Sequence, residues 1–236
     1  MGVSIGFHRK INNWAVSQGQ EVIFQPFLVD GNPYKSRIFV VGGFPQPKLE
    51  INHFEQAQYI ESLVDVAMFD DLYGEKMQSR ENKGIATFTQ WLKEACGEIA
   101  VNTNVTTLMA DSAKQLKEFK KTIPQDYEKG FQVFREVLEE FQPEILILHG
   151  ADALKQVRHQ FNDCLVDYYA HIEKVQELET VGVFAEMYFH EERKVKILAC
   201  RSLSMYGKSG EKFTDFKRHV LDQLLVNGQN TSKSER

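Results

Sequence analysis

The chain has 236 residues, of which 42% are hydrophobic and 26% are charged, the composition of a globular protein. A chain of this length buries about 70% of its unfolded surface, so it needs no disulfide or metal to fold. The net charge of −5 and the pI of about 5.8 exclude a uniformly basic nucleic-acid-binding surface, although they are compatible with a local basic patch.

The three cysteines stand far apart, at positions 96, 164 and 200, and form no CxxC pair. The histidines show no HExxH spacing, so we expect neither a metal nor another cofactor. Sparse cysteines are typical of a reducing compartment. The first residues lack the apolar core of a signal peptide, and no run approaches the ~20 apolar residues of a membrane span. We therefore expect a cytoplasmic protein with no membrane partner.

Four short apolar runs predict strands. The predicted strands lie at residues 37–41, 98–102, 144–148 and 195–199. The first and third runs are continuous rather than alternating, which is typical of strands covered on both faces of a parallel sheet. A fifth run, at 181–189, is expected to pair antiparallel with the fourth through a turn at 190–194.

Apolar residues at helical spacing separate these runs. The predicted helices cover 54–69, 85–96, 127–141, 151–161 and 213–225. Gly97 after the second helix and Pro143 after the third are typical helix-ending residues. The alternation of strands and helices predicts an α/β fold, a single three-layer domain over residues 1–226 with a mainly parallel central sheet. The polar segment 227–236 is expected to be a disordered tail.

Ligands bind to an open α/β sheet at the carboxyl ends of its strands, so the residues after each run form the candidate site. The first run is followed by Gly-Gly-Phe-Pro-Gln, the second by Asn-Thr-Asn, the third by His-Gly and the fourth by Cys-Arg-Ser-Leu-Ser. The candidate residues are Gly42, Gly43, Phe44, Gln46, Asn102, Asn104, His149, Arg201, Ser202 and Ser204. Because these side chains are small, polar or aromatic, they predict a pocket shared by four strand ends.

In order and spacing, these four segments resemble the uracil-DNA glycosylase superfamily. That family has a glycine-rich loop with a proline after its first strand, similar to 41–46 here, and an Asn-Thr motif after its second, similar to 101–103. Its third strand ends in a glycine before a helix, similar to 149–153, and its fourth in a His-Pro-Ser type loop, similar to 201–204. The resemblance covers about residues 37–225. It implies an α/β fold that binds a nucleobase extruded from DNA.

The resemblance also implies roles for individual residues. Arg201, which stands where the family has a histidine, and Asn102 would stabilise the departing base as an anion, and they are the implied catalytic residues. The implied base-binding residues are Gly42, Gly43, Phe44, Gln46, Asn104 and His149. Because the Asn-Thr-Asn repeat allows two registers, either Asn102 or Asn104 reads the base edge.

Two departures from the family bear on the chemistry. Phe44 stands where the family has an acidic or amide residue that positions the attacking water, and a phenylalanine cannot hold water. Gln46 replaces an aromatic residue that blocks a thymine methyl group. Base excision is therefore expected to be absent or slow, unless Glu50, His53 or Asp152 presents the water. Phe44 can instead stack on a base.

The segment after the fourth strand is expected to contact nucleic acid. In the resembled family this loop inserts an apolar side chain into the gap left by the flipped nucleotide, a role that falls here to Met205 or Tyr206. Phosphate contacts are expected from Ser202, Ser204, Lys208 and Lys212. Between positions 193 and 218, eight basic residues stand against two acidic ones, which favours a local anionic partner.

Each feature also has a structural explanation. The two glycines can form a tight turn, the two asparagines can cap loop backbone, His149 can be a core residue and Arg201 an ion-pair partner. Three functions therefore remain open. The first is a uracil-DNA glycosylase-like protein that binds a nucleobase or DNA, and the second is a catalytically silent relative that binds nucleic acid or a partner protein. The third is a different small-molecule or nucleotide hydrolase on the same fold. The sequence also leaves the oligomeric state open.

Overall fold

The computed structural model describes residues 4–19, 21–189 and 193–231. Within these ranges six strands form one sheet. They are β1 (Ile38–Gly42), β2 (Ala100–Asn104), β3 (Ile145–His149), β4 (Leu165–Asp167), β5 (Val183–Phe189) and β6 (Arg193–Cys200). The spatial order is β2-β1-β3-β6-β5-β4, and β2, β1, β3 and β6 run parallel to one another.

The four strands predicted to share one parallel layer do so, with boundaries shifted by one or two residues. The antiparallel pairing of β5 with β6 is also confirmed, whereas residues 190–192 of the expected turn lie outside the described residues. The edge strand β4 was not predicted, because Leu-Val-Asp is too short to show a period of two.

The helices lie between and around the strands. They are α1 (Ile5–Ala15), α2 (Gln56–Ser62), α3 (Val66–Tyr73), α4 (Arg80–Cys96), α5 (Ala113–Thr122), α6 (Pro124–Phe141), α7 (Ala151–Gln160), α8 (Val175–Leu178) and α9 (Thr214–Thr231). Short 3-10 turns occupy Pro33–Lys35, Leu203–Met205 and Glu211–Phe213. Within the part of the chain that the structure describes, none of these helices has the length and apolar character needed to cross a bilayer.

Both faces of the sheet are buried, and β1 shows this most clearly because all five of its residues are buried. Ile38 and Val40 belong to a core shared with α4 and α9. Phe39 and Val41 point to the opposite side and belong to a larger core shared with α1, α6 and α7. Burial on both faces explains why the strand sequence is continuously apolar.

Several predicted helix boundaries were wrong, and α4 begins at Arg80 rather than at residue 85. The helix expected at 54–69 is interrupted at Asp65, whose carboxylate accepts a hydrogen bond from the Met68 N–H at 3.0 Å and so caps a new helix, α3. Helix α9 extends to Thr231, into the segment expected to be a disordered tail. Residues 232–236 of that segment lie outside the described residues. Helices α1 and α5 occupy segments for which no element was predicted.

Helix α4 is held against the loop that follows β6. A Cβ at Gly84 would lie 1.8 Å from the Leu203 carbonyl oxygen, so the helix backbone packs directly on that loop. Ser79 caps the beginning of α4 by accepting from the Asn82 N–H, and Gly97 ends it with φ of 70°, as predicted. The first turn of α4 is thereby fixed beside the carboxyl ends of the parallel strands.

Candidate functional site

A cavity of about 320 Å³ lies beside the carboxyl ends of β1, β2 and β3, and its volume is within the range of small-molecule sites. Its other walls come from α3, from α4 and from the segment that pairs with the outer edge of β2 near Leu28. The candidate residues that line it are Phe44, Gln46, Asn102, Asn104 and His149. The fold therefore brings together residues that the sequence placed after three separate strands.

Gly42 lies where these strand ends meet. It pairs in register with Asn104 of β2. A Cβ at Gly42 would lie 2.4 Å from Asn104 Oδ1 and 3.1 Å from His149 Nε2. The missing side chain therefore allows an amide and an imidazole to approach the same point of the β1 backbone, a close approach for which glycine is suited.

The backbone of Asn102 is hydrogen-bonded to Leu28, and Asn102 lines the cavity. Its N–H donates to the Leu28 carbonyl at 2.8 Å, and its own carbonyl accepts from the Leu28 N–H at 2.7 Å. The side-chain Oδ1 is buried and has no hydrogen-bond partner among the described residues. An unsatisfied buried acceptor of this kind costs about 1–3 kcal/mol, so a ligand that offers an N–H here would recover that energy.

Phe44 supplies an aromatic part of the cavity wall. The side chain is half-buried and packs against the apolar cluster of Ile23, Phe24 and Leu108. The chain after it is also held, because the Pro45 carbonyl accepts from the Ala110 N–H at 3.1 Å. A ring anchored in this way at a cavity wall is suited to stacking on a planar ligand.

His149 has a neighbouring carboxylate that the sequence did not reveal. Its Nδ1 lies 3.3 Å from Oε1 of Glu81, in the first turn of α4, although the two atoms are not aligned for a hydrogen bond. The interaction with the His149 ring lowers the pKa of the Glu81 carboxyl, against the effect of burial, which raises it. Glu81 also lines the cavity. Its position depends on how α4 packs on the sheet, so no sequence spacing could have indicated it.

Arg201 is not among the cavity-lining residues. Its Nε donates to Oε2 of Glu179 at 2.7 Å, and the Glu179 side chain is only 5% exposed. The guanidinium also lies over the Phe213 ring, 5.7 Å from its centre. The structure thus places Arg201 in a largely buried ion pair and does not bring it together with Phe44 and the asparagines.

Of the two residues expected to insert into DNA, Met205 or Tyr206, Tyr206 does not have the exposure that this role requires. Only 3% of the residue is exposed, because its ring packs against Phe88 and Phe213 and over Gly210. Burial also raises the pKa of its phenol to about 12. Met205, by contrast, is 48% exposed.

The other residues expected to contact nucleic acid lie around the same loop. Ser204, Lys208 and Lys212 are exposed, and Ser202 is half-buried with its hydroxyl 2.8 Å from that of Ser204. None of them lines the cavity. They form a polar rim on the loop after β6.

The remaining candidates lie outside the cavity. A Cβ at Gly43 would lie 3.2 Å from the Asp152 Cβ, so this glycine faces α7. Glu50, His53 and Asp152, the alternative water-presenting residues, are exposed and do not line the cavity. Among the described residues no group of three or more His, Cys, Asp or Glu side chains is arranged to hold a metal ion.

The fold and the cavity define a mixed α/β protein with a polar, partly aromatic cavity at the strand ends. No protein-family model matches the chain, and no curated protein resembles it closely enough to indicate a relative. The geometry of the cavity and the motifs that line it are therefore the basis for inferring its function.

Proposed function

We propose that this protein is a uracil-DNA glycosylase-like protein that binds a nucleobase, presented by a DNA strand, in the strand-end cavity. The observation that carries the proposal is the buried Oδ1 of Asn102, which has no hydrogen-bond partner in the described part of the chain and lies in a cavity whose wall also holds the Phe44 ring. An amide and an aromatic ring are the two groups that single-base recognition needs, one for the hydrogen-bonding edge and one for the flat face.

The amide of Asn102 favours one kind of base edge. Its oxygen accepts an N–H and its NH₂ group donates to a carbonyl, so the complementary edge carries an N–H next to a C=O. Uracil and hypoxanthine have such an edge. Cytosine and adenine carry the reverse arrangement, an unprotonated ring nitrogen next to an amino group, so an amide held in the uracil register places acceptor against acceptor and donor against donor. Asn102, whose oxygen has no partner within the described ranges, is thus the better base reader of the two asparagines.

The proposed contacts with DNA come from the loop after β6. Met205 is the exposed apolar side chain of that loop, and it takes the gap-filling role for which Tyr206 is too buried. Lys208 and Lys212 supply the positive charge that phosphate contacts require. The resemblance to the glycosylase motifs supports this arrangement, since those motifs supply both the cavity residues and the loop.

Binding of a nonhydrolysable substrate analogue tests the proposal. The probe is a fluorescein-labelled single-stranded oligonucleotide that carries one 2′-fluoro-2′-deoxyuridine, measured by anisotropy against the same strand with deoxycytidine. We expect tighter binding of the uracil strand. Asn102→Ala and Phe44→Ala should each weaken it by about 5- to 100-fold, because each removes about 1–3 kcal/mol of edge or stacking contact.

Matched controls come from residues of the same type outside the cavity. Asn162 and Phe54 are both exposed and do not line it, so Asn162→Ala and Phe54→Ala should leave the preference for the uracil strand unchanged. Equal affinity for the two strands, or equal losses in the control and cavity variants, would contradict base recognition. Such a result would favour a silent relative that binds a partner protein, or a hydrolase for a different small molecule.

A further inference from the structure

His149 is a buried titratable residue that base binding alone does not explain. The residue is 3% exposed, yet Nδ1 makes no aligned hydrogen bond to any residue that the structure describes. Its nearest acidic neighbour is the Glu81 carboxylate, 3.3 Å from Nδ1. A carboxylate at Nδ1 favours the tautomer that carries its proton there, which leaves Nε2 with a free lone pair. Contacts of this kind are often long before the ligand binds and shorten in the complex.

The opposite edge of the ring is turned towards the strand ends. Nε2 lies 3.1 Å from the point that a Cβ at Gly42 would occupy, and Asn104 Oδ1 lies 2.4 Å from the same point. Because His149 and Asn104 both line the cavity, a basic nitrogen and an amide oxygen border the same small space. These are suitable partners for a water molecule, since each can accept one of its protons.

We propose that His149, positioned by Glu81, is the general base that activates water for hydrolysis of the N-glycosidic bond of the bound nucleotide. This inference rests on the proposed function. In this arrangement His149 of β3, held by Glu81 of α4, activates the water, a role that Phe44 cannot perform.

The step balances without any further reactant. The bond from the sugar C1′ to the base nitrogen breaks, and its electron pair leaves with the base. The water oxygen forms the new bond to C1′, and the proton that it loses passes to His149 Nε2. The resulting imidazolium is stabilised by the Glu81 carboxylate, and the proton then passes to the base anion or to solvent. The products are the free base and an abasic sugar.

Several other charged or titratable groups lie on the elements around this pair. Asp70 of α3 and Lys93 of α4 line the same cavity. Cys200 of β6 pairs in register with His149, and burial raises the pKa of its thiol well above the ordinary value. Asp152 lies in the first turn of α7. Among the described residues, the ion-pair contact to His149 comes from Glu81, so Glu81 is the positioning residue to test.

The test is single-turnover release of uracil from a single-stranded oligonucleotide with one deoxyuridine. We expect slow but measurable release. His149→Gln should lower the rate by about 100-fold or more, the usual size of a general-base contribution. Glu81→Gln should lower the rate by about 10-fold, more than it weakens binding of the 2′-fluoro-2′-deoxyuridine strand, because it removes the carboxylate that orients the ring. The control His159→Gln changes an exposed histidine at the end of α7 and should leave the rate unchanged.

Binding of the 2′-fluoro-2′-deoxyuridine strand, measured on the same variants, separates this inference from the function on which it rests. Retained binding in His149→Gln together with lost release supports the general base. Unchanged release in His149→Gln, or a parent protein that binds the strand and releases no uracil, overturns the inference and leaves the proposed function standing. A parent that shows no preference for the uracil strand overturns the proposed function itself.

Discussion

Gly42 is the residue at which the absence of a side chain matters most for the cavity. Asn104 Oδ1 lies 2.4 Å, and the His149 ring 3.1 Å, from the position that a Cβ at Gly42 would occupy. The adjacent Gly43 faces α7 instead, so the two glycines differ in what a methyl group would disturb. They form a matched pair for testing whether the strand ends bind a ligand.

We expect Gly42→Ala to weaken binding of the uracil strand by about 10-fold or more, because the methyl group displaces Asn104 and occupies space next to His149. Gly43→Ala should have a smaller effect on binding, since its methyl group meets Asp152 at a surface position. Anisotropy titrations of both variants, with far-UV circular dichroism to verify folding, provide the measurement. A larger loss for Gly43→Ala would place the ligand elsewhere.

Arg201 is a residue whose predicted catalytic role and observed environment differ. Its substitution by alanine would leave the Glu179 carboxylate, 5% exposed, without the arginine. We expect Arg201→Ala to lower the free energy of unfolding by about 1–3 kcal/mol, the cost of an unsatisfied buried group. Binding of the uracil strand should change little.

Urea denaturation provides that measurement, and Arg218→Ala provides its control. Arg218 pairs with Asp215 in a largely exposed ion pair, so its loss should cost no more than about 0.5 kcal/mol. If Arg201→Ala keeps full stability and loses uracil binding, then Arg201 acts on the ligand, as the sequence resemblance implied.

The sequence predicts which residues stand at the ends of the parallel strands, although this position alone is not sufficient, because Arg201 directly follows β6 and does not line the cavity. Phe44, Asn102 and His149 line the cavity because strand ends in a parallel sheet meet at one edge. Glu81 and Glu179 could not be found in this way. Each reaches its partner through tertiary packing over a long sequence separation, which leaves no local pattern.

At the scale of elements, α4 links the cavity to the loop after β6. The helix carries Glu81 in its first turn, and one turn later Gly84 contacts the Leu203 carbonyl. The packing of α4 on this loop therefore fixes the distance between Glu81 and His149. A displacement of the helix should affect both stability and the Glu81–His149 interaction.

We expect Gly84→Ala to lower the free energy of unfolding by about 1–3 kcal/mol, because the methyl group would overlap backbone atoms that cannot move aside. Gly6→Ala is the control: Gly6 lies in α1 with no atom within 4 Å of its Cβ position. That change should cause no loss and could add up to about 1 kcal/mol from helix propensity. Equal stabilities of the two variants in urea denaturation would contradict the close contact.

Whether a helix or strand could be predicted depended on how clearly its pattern of apolar residues appears in the sequence. The parallel strands were predictable because burial on both faces requires continuous apolar runs. The break between α2 and α3 was missed because the apolar spacing continues across it, while the N-cap at Asp65 decides the boundary. Helix α5 was missed because its charged surface leaves few apolar residues, of which Leu116 is buried.

In the whole molecule, the exposed basic residues of the loop after β6 and the cavity at the strand ends lie in different places. The chain is acidic overall, with a net charge of −5, while the basic residues of the loop after β6 are exposed. Polynucleotide binding should therefore be weak and salt-sensitive, since a few phosphate contacts supply its electrostatic part. Specificity has to come from the cavity, where Asn102 offers an unsatisfied acceptor. The proposed recognition of a base therefore depends on the side-chain amide of Asn102.

The most direct test follows that amide by NMR. In ¹⁵N-labelled protein, the side-chain NH₂ signals of Asn102 are assigned by their absence in Asn102→Ala. During titration with free uracil they should shift in a saturable manner, whereas deoxyribose 5-phosphate should leave them unchanged, because the base edge and not the sugar meets this group. Asn102 signals that stay constant up to the solubility limit of uracil, or that respond equally to the sugar phosphate, would contradict a nucleobase site in this cavity.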